Sequence, residues 1–298
     1  AWRVIHIPVL LEEVMKFLEP FSGGTFIDAT VGYGGHTFAI LERISGSRVL
    51  GIDADASALA FCEEERKRRG ISEDRCILAQ GNFRTLDALV ATNGFAGANG
   101  ILFDFGVSSG ELDTAQRGFS FMKEGVLDMR FDQRSGTTAL DIVNQWPEDA
   151  LITLLHDYGE ERQARRIASA IVIERKRQTI TTTTALADII ARLPGMRQGR
   201  IHPATRTFQA LRIVVNDELG SIREVLPKAL GTLQTKGRMV TIAFHSLEDR
   251  IVKEFAKDVA RVKKSARILT KHVLQASREE EKSNPRSRSA KLRALEKI

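Results

Sequence analysis

The stretch Thr25-Phe26-Ile27-Asp28-Ala29-Thr30-Val31-Gly32-Tyr33-Gly34-Gly35-His36 decides how this chain is read. A short apolar β-run ends at Asp28, and glycines follow where the backbone must turn tightly and approach a ligand closely. His36–Ile44 then offers Phe38, Ile40, Leu41 and Ile44 for packing, which predicts strand, turn, helix. The unit recurs downstream. Arg48–Ile52 is a second strand ending at Asp53 and followed by the helical Ala56–Arg69; Arg75–Ala79 leads into Gly81-Asn82-Phe83; Gly100–Phe105 carries Asp104 near its end. Such alternation predicts a parallel sheet covered by helices. Ligands of open α/β sheets bind beyond the carboxyl ends of the strands, and here successive strands finish in Asp28, Asp53, Asn82 and Asp104.

Past Asp104 the strand rhythm stops. Glu148–Tyr158, Glu161–Gln178 and Thr184–Leu193 place apolar residues at helical spacing, with Thr179–Thr184 suited to capping a helix. Strand character returns at Gly237–Phe244, after the amphipathic Asn216–Leu233. The expected organisation is an α/β, Rossmann-like domain formed by residues 1–112 and 207–298, interrupted by a mostly helical domain at 113–206.

Composition bounds the function classes. With 298 residues, 43% hydrophobic and 28% charged, the chain has the make-up of a globular protein, which excludes disorder and collagen-like sequence. Cys62 and Cys76 cannot make a disulfide framework or a cysteine zinc site. The apolar runs Gly100–Phe105 and Arg238–Phe244 fall far short of the roughly 20 residues that span a bilayer. Residues 1–6 show no secretory h-region, so a cytoplasmic location is expected. The net charge of +6 is unevenly placed: from Arg261 to Ile298 twelve Lys/Arg face four Glu, and the rest of the chain is slightly acidic. A second basic stretch, Arg192 to Arg212, holds five arginines and no carboxylate. Both suit phosphates, although basic segments are often only solvated.

Two cofactor classes fit the glycine loop. A carboxylate about 20 residues past the glycines, here Asp53, accepts hydrogen bonds from both ribose hydroxyls of a nucleoside. A dinucleotide site wants Gly-x-Gly-x-x-Gly, and the loop Gly32-Tyr33-Gly34-Gly35-His36 lacks the third glycine at that spacing. Asp28 ahead of the loop suits a cationic or zwitterionic ligand such as S-adenosylmethionine better than a pyrophosphate. A methyltransferase is therefore favoured over a nicotinamide-dependent oxidoreductase, with a non-enzymatic RNA-binding protein as a third class.

The segments His6-Ile7-Pro8-Val9-Leu10, Gly34-Gly35-His36, Asp104-Phe105-Gly106-Val107-Ser108-Ser109, Arg117-Gly118-Phe119-Ser120-Phe121 and Leu127-Asp128-Met129-Arg130 resemble those of the MraW/RsmH family. The likeness continues through Tyr158–Glu161, Thr205–Ile213, Phe244–Arg250 and Asn284–Ser289. The resemblance implies a Rossmann-like class I methyltransferase sheet with a helical insertion that recognises RNA. It implies methyl transfer from S-adenosylmethionine, leaving S-adenosylhomocysteine, to N4 of a cytidine in the decoding region of small-subunit ribosomal RNA, free or in the assembled subunit. It also implies that Gly34, Gly35 and His36 lie against the methionine portion, Asp53 on the ribose, Phe83 on the adenine side and Asp104 near the methionyl amine. Glu111 stands where the family has a cofactor-touching glutamine, since Gly110-Glu111 replaces the usual Pro-Gln. Another RNA or a DNA amino group is the alternative substrate.

An exocyclic cytosine amine is a weak nucleophile, so the site must align it and accept its hydrogen bonds. Asp104 is the first candidate acceptor, with Ser108, Ser109 and His245 as further catalytic candidates. Arg117, Arg130, Arg206 and Arg212 suit phosphates, with Arg166 and the Arg286–Arg293 tail as outer contacts. Phe119 and Phe121 could stack on an extruded base.

Overall fold

The structure, a computed structural model, describes residues 7–19, 21–106, 114–134, 136–196 and 202–298. It divides into two compact units, Ala1–Gly106 with Leu219–Ile298, and Val107–Glu218.

The first unit alternates α1 (Leu11–Leu18), β1 (Thr25–Asp28), α2 (Gly35–Arg43), β2 (Arg48–Asp53), α3 (Ala56–Arg68), β3 (Cys76–Gln80), α4 (Leu86–Asn93) and β4 (Ala98–Asp104). The sheet strands β1, β2 and β4 are apolar on both faces because helices cover both, which leaves Phe26, Ile27, Leu50, Ile52, Ile101 and Leu102 fully buried. Asp55 starts α3 by accepting the Ser57 N–H at 2.9 Å. Gly34 starts α2 at φ 77°, and a Cβ there would lie 2.4 Å from the Phe38 ring. Both the turn and the packing therefore require glycine.

The chain returns to this unit through α10 (Glu218–Thr232), β5 (Leu233–Ala243), α11 (Ser246–Lys257), β6 (Ala266–Ile268), α12 (Arg278–Ser283) and β7 (Lys291–Lys297). The strand order is β3-β2-β1-β4-β5-β7-β6; the first five strands are parallel, and β7 runs antiparallel to both β5 and β6. This is a Rossmann-like sheet, as the sequence led one to expect. The order reverses between β1 and β4, so a crevice opens there at the carboxyl ends. The basic C-terminal segment is not a tail. In β7 the buried Leu292, Ala294 and Leu295 pair with β5, and Arg293 is held by Asp249 at 2.7 Å.

The second unit contains α5 (Ala139–Gln145), α6 (Glu148–Asp157), α7 (Ala164–Arg177), α8 (Thr183–Ala191) and α9 (Thr205–Asn216). Its core joins Leu127 and Met129 to Ile142, Leu151, Leu154, Leu155, Ile167, Ile171, Leu186, Ile190, Phe208 and Leu211. Thr138 and Asp141 form a capping box on α5, and Thr182 caps α8 by accepting the Ala185 N–H. The boundary expected near residue 206 falls later, at Leu219, because Phe208, Ala210 and Leu211 of α9 are buried in the helical core.

Candidate active site

Parallel register sets the site. Asp28 is level with Gly51 of β2 and Leu102 of β4, so Asp53 and Asp104 stand two residues further along their strands. Two residues is one strand period, which puts all three carboxylates on one face of the sheet. Asp28 is 2% exposed; its Oδ2 accepts the Thr37 hydroxyl at 2.7 Å and its Oδ1 the Thr30 N–H at 3.3 Å. Asp53 is half-buried, with Oδ2 accepting the Gly32 N–H at 2.8 Å and Oδ1 the Asp55 N–H at 2.9 Å. Each oxygen keeps a second lone pair for a ligand. The Asp104 N–H donates to Thr30 Oγ1 at 2.7 Å, and its Oδ1 accepts the Gly106 N–H at 3.4 Å.

Loss of hydration pushes Asp28, Asp53 and Asp104 each up to about 6, and the charge on Asp28 adds to the rise at the other two. No lysine or arginine among the described residues enters as a compensating partner. The loop itself is pinned on both sides. Ala29 N–H donates to the Leu102 carbonyl and Val31 N–H to the Ile52 carbonyl, both at 2.9 Å, and the Cys62 thiol reaches the Gly32 carbonyl at 3.2 Å. Burial pushes that thiol upward, so Cys62 stays protonated and serves packing.

His36 faces inward. It is buried, its Nε2 lies 2.9 Å from the Val9 carbonyl, and burial holds its pKa below the ordinary value, so the neutral ring donates there. Val9 belongs to a segment tied from the far end of the chain: Asn284 Nδ2 donates to the Ile7 carbonyl at 3.0 Å, and Glu280 Oε1 accepts the Leu10 N–H at 2.7 Å. Leu10 is fully buried at φ 53°, a left-handed conformation that costs a leucine about 1–2 kcal/mol. Phe83, half-buried, meets Phe103 and Phe105 edge-on at 6.1 and 5.9 Å, which leaves an apolar ring beside the ends of β3 and β4.

His245, a catalytic candidate from the sequence, has a structural role as well. It is the N-cap of α11; its Nδ1 accepts the Glu248 N–H at 3.4 Å, and its Nε2 lies 2.9 Å from Glu248 Oε1 without a hydrogen bond between them. Both ring nitrogens face Glu248, whose Oε2 accepts the Phe244 N–H at 2.7 Å. Ser108, Ser109 and Glu111 lie outside the described residues.

In the helical unit most of the expected RNA contacts are spent on the chain itself. Arg117 donates to the Arg130 and Phe131 carbonyls at 3.1 and 3.0 Å. Arg130 forms a two-pronged pair with Asp128, both bonds at 2.8 Å, and Arg212 another with Glu218 at 2.7 and 2.9 Å. Phe119 is a core residue, 7% exposed and stacked on Phe131 at 5.3 Å, rather than a platform for a base. Half-buried Phe121 packs on His202 and Phe208. Arg206 stays exposed, with one N–H on the Glu160 carbonyl at 3.1 Å. The residues that sequence reading missed are Thr30, Thr37, Glu280 and Asn284. Thr30 and Thr37 could have been found from their place around the loop; Asn284 opens a segment already singled out for its family likeness, while Glu280 acts across the chain length and leaves no local signal.

Comparison with known proteins adds a family. The model of the MraW methylase family matches residues 3–298. The ribosomal RNA small subunit methyltransferase H of Heliobacterium modesticaldum is 48% identical, covering 98% of this chain and 98% of its own. The proteins of the same name from Thermomicrobium roseum and a Sulfurihydrogenibium species are 48% and 47% identical, covering 98% and 99% of this chain and 94% and 100% of their own. A solved rRNA methylase from Streptococcus thermophilus aligns over 97% of this chain and 93% of its own at 12% identity with a TM-score of 0.44. The fold class rests on the strand order.

Proposed function

This chain belongs to the MraW methylase family, and from that premise we propose that it transfers a methyl group from S-adenosylmethionine to N4 of a cytidine in the decoding region of small-subunit ribosomal RNA. The observation that carries the substrate class is identity near 48% with relatives named for that RNA, over nearly the full length of both chains. The site's own chemistry fits the cofactor: three aligned carboxylates that no lysine or arginine among the described residues compensates, with the buried His36 the basic group beside Asp104. A ligand bearing a sulfonium and an ammonium supplies the missing positive charge, and when bound it supplies an electrophilic methyl.

The residues then divide the work. Asp53 accepts the ribose hydroxyls with its remaining lone pairs, and Phe83 offers its ring to the adenine. Gly34 and Gly35 let the backbone approach the methionine portion, while His36 holds the Val9 segment behind them. Asp28 contributes charge without contact, being sealed by Thr30 and Thr37. Asp104 orients the target amine through an N–H bond, and a carboxylate near 6 is well matched to receive the proton that the methylated amine releases. The helical unit carries RNA recognition, with exposed Arg206 among its contacts, and the enzyme works in the cytoplasm on free rRNA or the small subunit.

The test is incubation with radiolabelled S-adenosylmethionine and undermethylated small subunits, followed by digestion of the RNA to nucleosides. Label in N4-methylcytidine is expected. Label in another nucleoside, or only in a DNA control, would replace the substrate assignment while leaving the methyltransferase.

A further inference from the structure

The expected phosphate contacts Arg117, Arg130 and Arg212 are bonded within the helical unit, which raises the question of what meets the backbone of a polyanionic substrate. A cavity of about 400 Å³ lies between α6 and α7 of that unit, lined by Thr153 and His156 from α6 and by Arg162, Arg165 and Arg166 around the start of α7. All three arginines are exposed. Arg166 is pre-set: Nη1 donates to Gln163 Oε1 at 2.7 Å and Nη2 to the Pro194 carbonyl at 3.0 Å, which fixes the guanidinium plane and leaves its other N–H groups free to donate. The lining also holds two carboxylates, which leaves the three guanidinium groups in excess by one charge. Glu161 is buried and accepts the Gln163 N–H at 2.9 Å, and Asp157 contacts His156 Nδ1 at 2.8 Å.

We propose that this cavity is a phosphodiester subsite for the RNA substrate, in which Arg162, Arg165 and Arg166 clamp the backbone. The proposal rests on the reading of the protein as an RNA methyltransferase and deepens it by naming where the backbone is held. Three guanidinium groups around a pocket of nucleotide size suit a phosphate better than a base edge, since planar donors match its oxygens in pairs. Phosphate contacts position a nucleic acid without reading its sequence. The site therefore contributes affinity and its salt dependence, and the choice of nucleotide lies elsewhere.

The experiment compares the full-length protein with the variant Arg162→Gln/Arg165→Gln/Arg166→Gln, and with the corresponding triple lysine variant. Binding to single-stranded RNA and to small-subunit rRNA is measured against salt, alongside methylation of undermethylated subunits. The glutamine variant should bind RNA at least about tenfold more weakly, with a slope of log Kd against log salt shallower by about one to two, as loss of one or two phosphate contacts requires. Its S-adenosylmethionine affinity and melting temperature should stay at the wild-type values. The lysine variant should recover most of the binding, which a purely packing role would not allow. Wild-type methylation with unchanged RNA affinity and salt slope in the glutamine variant would overturn the subsite alone. Wild-type RNA binding that collapses in the glutamine variant, with no methylation of any RNA by the wild type, would overturn the enzymatic reading and keep the subsite.

Discussion

Replacing Asp28 by asparagine should make the protein more stable and a poorer binder of its cofactor. Burial lifts the Asp28 carboxyl from 3.8 to about 6, so the folded chain binds that proton more tightly than the unfolded chain does. The sign follows from linkage: below 3.8 the ionisation costs the fold nothing, and between 3.8 and about 6 the cost grows with pH until it is complete. A shift of this size is worth about 3 kcal/mol above the upper value. Asparagine removes the charge and can still accept the Thr37 hydroxyl, but its amide nitrogen then faces the Thr30 N–H, a donor against a donor, at a cost of about 1 kcal/mol. The net gain at pH 8 is about 2 kcal/mol, or about 3–5 °C in the melting temperature of a chain this long. At pH 5 the unfolded carboxyl is ionised while the folded one is largely protonated, so only about half of the cost is present; the gain should shrink to about 0.5 kcal/mol and reverse only below about pH 4.5. Thermal melts of ligand-free protein at both pH values, with calorimetric titration of S-adenosylmethionine at pH 8, make the test; affinity should fall at least fivefold, a loss of about 1 kcal/mol or more of charge attraction. An asparagine variant that melts lower than wild type by the same amount at pH 5 and pH 8 would refute the reasoning, because Asp28 would then be only a hydrogen-bonding group.

Asp104→Asn should lower turnover more than about tenfold at saturating S-adenosylmethionine while RNA affinity holds, and full rescue by excess cofactor in single-turnover assays would reduce Asp104 to a cofactor ligand. Asn284→Ala, which frees the Ile7 carbonyl, should destabilise the sheet unit by about 1–3 kcal/mol and speed hydrogen exchange at Leu10; unchanged exchange would show that the segment before α1 holds itself. Ending the chain after Lys282 removes β7 with its buried Leu292, Ala294 and Leu295, so it should abolish cooperative unfolding of the sheet unit in denaturant, and a truncated protein with native far-UV dichroism and an unchanged transition would contradict the strand pairing.

The strands and their order of appearance were legible because a parallel strand buried on both faces is a plain apolar run, and β1, β2 and β4 each end at an aspartate. The helical unit was legible from its periodicity, down to the threonine cap on α8. The last strand was not. In Lys291–Lys297 charged residues are interspersed with the buried Leu292, Ala294 and Leu295, and the count of charges hid the apolar positions of a half-buried strand. The arginines misled for a related reason: a sequence shows a cation, but whether Arg130 or Arg212 faces a phosphate depends on a carboxylate that folding brings beside it. The tie from Glu280 and Asn284 to the segment Ile7–Leu10 joins the two ends of the chain, a contact that no local pattern encodes.

The three aspartates also give a test that separates a methyltransferase from a nicotinamide-dependent oxidoreductase. The sheet register holds Asp28, Asp53 and Asp104 together against their mutual repulsion, and Asp28 raises the other two. A ligand that brings positive charge relieves that repulsion, holds the carboxylates ionised and releases protons on binding. A ligand that brings a pyrophosphate adds to it, and only protonation of the carboxylates eases its entry. S-adenosylmethionine affinity should therefore fall as pH is lowered through about 6, whereas any weak binding of NAD should rise over the same range. Calorimetry in two buffers of different ionisation enthalpy reads both the affinity and the proton count. Proton uptake on binding S-adenosylmethionine, or an affinity flat from pH 5 to 8, would mean that the carboxylates only cap the turns around the glycine loop, and the charge argument for the cofactor would fall with them.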